Sequence, residues 1–190
     1  MKYRTGSLAA ALLVSLASCG QRSLHEAAVP AVVPSRGVAE VEPIEAGRVQ
    51  AGQTIYVPAY SAISTADRAD KFQLAITLGI RNTDRAHAIV VTAAGFYHQD
   101  GQLVRDLVKK PLRIAPLASA EFFIKESDMS AGIMASFVVE WVAEQKVTAP
   151  VVESVMVGLA SSRGVSFRCL GRVVAERGLA GPPGTVGRQP

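Results

Sequence analysis

Phe72-Gln73-Leu74-Ala75-Ile76-Thr77-Leu78-Gly79-Ile80-Arg81 is the stretch that decides the fold class. Phe72, Leu74, Ile76, Leu78 and Ile80 fall on every second position. A β-strand sends successive side chains to opposite faces, so these five share one face while Gln73, Thr77 and Arg81 take the other. Asn82-Thr83-Asp84 follows, and side chains of this kind end a strand by bonding their own backbone.

The same pattern spreads outward from this segment. A second strand is read over 88–98, and Asp100-Gly101 turns it into 102–106, since a dipeptide able to adopt positive φ between two strand-like runs marks a hairpin. Further strands are read over 54–61, 112–114, 118–125, 136–143, 153–160 and 165–174. No segment carries sustained helical spacing with caps, and 127–133 offers at most one short turn of helix. Seven to nine short strands with turns at roughly 8 to 12 residue spacing predict an all-β chain, an antiparallel immunoglobulin-like β-sandwich. Trp141 shares its face with Phe137 and Val139 and is assigned to the core rather than to a binding site. Val165, Phe167, Cys169, Gly171 and Val173 also fall on one face, with Arg168 and Arg172 opposite. Cys169 is therefore read as a small core hydrophobe, since nothing in the sequence fixes a base beside it.

The ends of the chain differ from this middle. Lys2 and Arg4 precede an uncharged run from Leu8 to Leu16, which is too short for the roughly 20 helical residues that cross a bilayer. It ends in Leu16-Ala17-Ser18-Cys19-Gly20, which resembles the lipobox of bacterial lipoproteins. That resemblance implies diacylglyceryl transfer to the Cys19 thiol, cleavage before Cys19 and acylation of the new amine; the competing reading is an ordinary secretory signal with an incidental cysteine. Residues 1–18 are thus expected to be a signal peptide and 19–50 a lipid-anchored tether, with Pro30, Pro34 and Pro43 holding it extended. The β domain is assigned to 51–175, and the Gly- and Pro-rich 176–190 to a disordered tail. Gly20, where an Asp would resemble an inner-membrane retention signal, favours the outer membrane in a two-membrane cell.

Loss of Lys2 and Arg4 with the signal lowers the formal charge from +4 to +2, so the basic balance is partly a targeting feature. Arginines 163, 168, 172, 177 and 188 face Glu176 alone near the C-terminus, a patch able to meet anionic lipid or envelope polymer. With Cys19 lipidated, Cys169 has no partner within the chain and no disulfide is expected.

There is no Gly-x-Ser-x-Gly elbow, phosphate-binding Gly-Lys-Ser/Thr loop or His-Glu-x-x-His, so the common hydrolase and nucleotide classes lose their markers. His25, His87 and His98 are read as solvated loop residues, with a metal site from His98, Asp100 and a distant carboxylate as the alternative. Glu140 lies between Val138 and Val142 on its strand face, so it is expected to be half buried and paired with Arg81 or Arg172. Tyr56 and Tyr60, four apart around Val57-Pro58-Ala59, are expected on one face of an edge strand, because Pro58 removes a ladder donor. Such an edge suits an added peptide strand or a stacked sugar ring; the plainer reading has the tyrosines covering the sandwich end.

In series, several of these motifs resemble a bacterial domain-of-unknown-function family, the one numbered three-one-two-four, found in predicted lipoproteins. The matching residues are Tyr56-Val57-Pro58-Ala59-Tyr60-Ser61, Ile80-Arg81-Asn82-Thr83-Asp84, Tyr97 with Asp100-Gly101-Gln102-Leu103-Val104-Arg105, Ala115-Pro116-Leu117-Ala118, Phe137-Val138-Val139-Glu140-Trp141, and Gly164-Val165-Ser166-Phe167 with Gly171-Arg172-Val173. The departure is at 130–136, where the family pattern is richer in glycine and ends in Asn. The resemblance implies domain extent and an envelope setting, and brings no activity. The expectation is therefore a non-enzymatic envelope lipoprotein, attached to the membrane through Cys19 and binding an envelope protein or polymer, with no cofactor and no nucleic acid. A small-ligand or metal-binding module is the alternative, and an envelope hydrolase a third.

Overall fold

The structure, a computed structural model, describes residues 35–64, 70–160 and 163–177; Cys19, the signal segment and residues 178–190 lie outside them. In chain order its strands are β1 (Val38–Glu40), β2 (Ala51–Pro58), β3 (Ala62–Ser64), β4 (Lys71–Gln73), β5 (Ala75–Arg81), β6 (Ile89–Tyr97), β7 (Leu103–Asp106), β8 (Leu112–Ile114), β9 (Ser119–Ile124), β10 (Ser136–Ala143), β11 (Val151–Ala160), β12 (Arg163–Leu170) and β13 (Arg172–Arg177). They form two antiparallel sheets, one ordered β1-β8-β6-β10-β2-β13 with β7 also on β6, the other β12-β11-β5-β9, plus a β3–β4 ribbon. The architecture is the all-β antiparallel sandwich that the alternation predicts.

The two sheets enclose one core. Ile76, Leu78 and Ile80 of β5 are fully buried, facing Ile55, Val57, Phe96, Phe137, Val139 and Trp141 from the larger sheet. Phe96 and Phe137 stack with centroids 5.0 Å apart. Burial of each such side chain contributes about 1.5–3 kcal/mol, so the period-two stripes carry the stability of the fold.

Several details differ from the sequence reading. The strand count is higher, because the 72–81 run breaks at Leu74, whose N–H donates to Ser61 O, so Lys71–Gln73 pairs with β3 instead of the β11 neighbour of β5. The 165–174 run breaks at Gly171 as the chain passes from one sheet to the other, and Val173 ends up 42% exposed rather than on the core face with Phe167 and Cys169. Residues 127–133 form turns without a helix. Pro58 does not mark an edge: β2 lies between β10 and β13. Ala59 N–H donates to Ala135 O of the β10 side, so by strand alternation Pro58 nitrogen faces the other way, beyond the last β13 pair at Tyr56–Arg172, where no donor is required.

The largest departure from the 19–50 tether lies in residues 35–50, which join the fold; residues 19–34 lie outside the described residues. Val38–Glu40 pairs with β8 as an edge strand. Consecutive in sequence, β1 and β2 stand apart in the sheet by β8, β6 and β10, so residues 41–50 arch across the ends of three strands. Backbone bonds fix both feet of the arch, Val41 N–H to Pro111 O and Gln50 N–H to Ala143 O, each 2.9 Å. A single 3-10 turn, Ala46–Arg48, sits between them. At the other end β13 runs to Arg177, two residues past the boundary assigned to the domain.

Candidate functional site: a cleft beneath the 41–50 arch

Where the arch stands off the sheet it leaves a cleft of about 500 Å³. Val41, Pro43, Ile44, Ala86, Ala88, Val90 and Ala143 supply apolar wall, and Glu42, Arg48, His87, Arg113, Glu144 and Gln145 supply polar groups. Register explains the floor: Val90 of β6 lies opposite Arg113 of β8, so both side chains project to the same outer face. Arg48 and Glu144 meet at 2.6 Å, tying the arch to the end of β10. Arg113 is exposed in the cleft and has no ion pair or hydrogen bond among the described residues.

The opposite wall is held by a polar clasp. Asn82 is buried, and its amide donates to the carbonyls of His87, Ile114 and Ala115 at 2.8–3.2 Å while its Oδ1 accepts Asp84 N–H. Asp84 in turn accepts the N–H groups of Ala86, Thr148 and His87. Those bonds, with a smaller contribution from His87 at 3.4 Å, outweigh desolvation and pull its carboxyl down to about 2. Thr83 Oγ1 donates to Ala149 O, so three successive residues bind the 84–87, 114–115 and 148–149 loops together. The adjoining turn puts Pro116 before Leu117 at φ +58, with Leu117 N–H donating to Asp84 O. Proline then a positive-φ residue is the sequence a type II turn uses.

Residues 52–174 match the model of a family described as Protein of unknown function (DUF3124). The chain belongs to the DUF3124 family. No curated protein matches. Among solved structures, the chain is similar to the crystal structure of Thermotoga maritima 1070, at 13% identity and a TM-score of 0.41, covering 63% of this chain and 92% of that one.

The whole arch therefore lies ahead of the DUF3124 match, whereas the Asn82–Asp84 clasp lies inside it. Of the residues singled out from sequence, His87 and Pro43 line the cleft, and Asp84 stands behind its wall through its bonds to Ala86 and His87. The expected pairing of Glu140 with Arg81 or Arg172 does not form. Glu140 is half buried opposite Thr54 and Ala93 and has no ion pair among the described residues. Arg81 belongs to the other sheet and binds Glu153 at 3.2 Å, as does Arg168 from β12. Glu153, 5% exposed, is thus the buried carboxylate of the DUF3124 domain, a residue the sequence reading missed. Its signal was the one applied to Glu140, an acid amid valines on a strand.

Arg172 lies opposite Tyr56 on the exposed face of the larger sheet, while Arg168 faces out from the smaller sheet, so these two arginines do not share a patch; the side chains of Arg163, Arg177 and Arg188 lie outside the described residues. Tyr56 is 42% exposed, and Tyr60, past the end of β2, packs edge-to-face on Phe167 with centroids 5.8 Å apart. They share no ridge: Tyr60 packs against the core, and Tyr56 does not. Trp141 is buried. His98 and Asp100 meet within one hairpin turn, His98 Nδ1 lying 3.2 Å from Asp100 Oδ2, and Gly101 takes φ +82. Among the described residues no group of His, Cys, Asp or Glu is arranged to hold a metal. Cys169 is half buried; desolvation raises its thiol, opposed by a bond from Ser154. Arg48, Arg113 and Glu144 were also missed, because a cleft made by a chain crossing leaves no local pattern.

Proposed function

We propose that this protein is a membrane-anchored envelope lipoprotein, held by lipid on Cys19, whose sandwich is a non-enzymatic binding module with its ligand site beneath the 41–50 arch. The observation that carries the binding reading is the cleft itself: about 500 Å³ with apolar wall and a few convergent polar groups, the form that ligand sites take. Anchoring is supported by Leu16-Ala17-Ser18-Cys19, and two or three acyl chains make a durable attachment where one does not. The partner is an envelope protein or polymer that places a group in the cleft. Small-ligand binding is the second reading and uses the same cleft, rather than the His98–Asp100 turn. A hydrolase would use Glu42 and Glu144, both in the cleft, but Glu144 is engaged by Arg48 at 2.6 Å, which favours a structural role for it.

Photocrosslinking tests it: a benzophenone side chain in place of Ile44, in the intact envelope, is expected to give one dominant adduct with another envelope component. Only self-adducts, or adducts equal to those from a probe at exposed Glu121, would contradict it.

A further inference from the structure

Two side-chain pairs and two unpaired charges, Arg113 and Glu42, define the chemistry of the cleft among the described residues. Arg48 is satisfied by Glu144, and His87 lies against Asp84. Arg113 is the guanidinium in the lining with five donors and no side-chain acceptor among the described residues. It sits among Val41, Ile44, Val90 and Ala88, which offer apolar contact beside the charge. A carboxylate is the planar acceptor that a guanidinium fork binds through two parallel bonds, and nearby apolar surface both excludes water and strengthens them. Glu42 at the arch disfavours a multiply charged anion and leaves a single carboxylate on an apolar body as the better match.

We propose that the group the cleft binds is an organic carboxylate on an apolar body, for which a small carboxylate such as benzoate is the probe, with Arg113 holding the carboxylate and the Val41, Ile44 and Val90 side chains the apolar body. This rests on the binding reading above and names the chemistry of its ligand. The arch supplies Ile44 and Val41, so the site exists only with residues 41–50 folded across the sheet.

The test uses the full mature chain in detergent micelles, titrated with benzoate, benzylamine and benzyl alcohol and followed by the backbone amide signals of Ala88 and Val90. Benzoate is expected to shift them saturably, and the other two to do so at least tenfold more weakly. Arg113→Gln should weaken benzoate roughly tenfold or more, Arg113→Lys less, and Glu42→Gln should preserve or tighten it. Arg85→Gln, an exposed neighbour outside the lining, should leave it unchanged. Equal binding of benzylamine, or benzoate binding indifferent to Arg113→Gln, overturns the proposal. No benzoate binding alongside a persistent Ile44 adduct overturns this ligand class and leaves the binding reading standing. Benzoate binding without any adduct to another component does the reverse.

Discussion

Asp84 shows what its family segment is for. In Ile80-Arg81-Asn82-Thr83-Asp84 the polar residues look, from sequence, like strand-ending turn formers, and they are that. They also fasten the 148–149 loop, which no local pattern announces, because the acceptors and donors lie more than sixty positions away. Asp84 has a folded value of about 2 against an ordinary 3.8. A depressed value means that its ionised form contributes stability fully present above the unfolded value and lost as pH falls through about 2. Asp84→Asn is therefore expected to flatten the acid limb of stability between about pH 4 and 2, measured by urea midpoints. It should also speed exchange of the Thr148 amide on the order of tenfold, since an amide NH₂ cannot serve Thr148 N–H as Oδ2 does. An acid limb identical to that of the parent chain would count against the clasp.

Glu153 belongs to the same scale. Its carboxylate is buried, while the side chains of Arg81 and Arg168 are 56% and 66% exposed, so the two sides of the triad are not equivalent. Removing the acid leaves two guanidiniums that water can reach; removing both arginines strands a buried charge. Glu153→Gln should cost about 1–2 kcal/mol and the Arg81→Met/Arg168→Met pair about 3 kcal/mol or more, by denaturant unfolding. The reverse order would refute the asymmetry.

At the scale of elements, Gly171 is the hinge between sheets. A Cβ there would lie 2.5 Å from Ile55 Cγ2 and 2.8 Å from Val152 O, and the backbone oxygen cannot swing aside because it accepts Gly171 N–H. Gly171→Ala should cost about 2–3 kcal/mol. Gly79→Ala in the middle of β5, where the nearest atom is 3.9 Å away, should be neutral or slightly stabilising. Thermal unfolding of the pair checks the contrast, and equal effects would deny that the crossing is tight. Strand faces were legible wherever parity alone decides them, as in Ile76, Leu78 and Ile80. Pairing partners were not: the break at Leu74 depends on Ser61, and the fate of Val173 depends on the sheet switch one turn earlier. Gly171 itself was the available signal, since a glycine inside a strand run marks a close backbone approach.

For the whole molecule, the sandwich follows from composition and alternation, and the cleft does not. It arises because three strands separate β1 from β2 in the sheet, and a three-residue strand in a proline-containing segment carries no periodicity to read. The consequence reaches the anchor. With β1 starting at Val38, the folded part of the chain begins before residue 50, so on the proposed anchoring at Cys19 the arch and its cleft lie early in the chain, on the anchor side of the domain in sequence. The anchoring claim is tested most directly by the mass of the N-terminal peptide from protein extracted from membranes. The peptide should begin at Cys19 and carry a diacylglyceryl group with an acylated amine. A peptide beginning elsewhere, or an unmodified Cys19, would contradict the account.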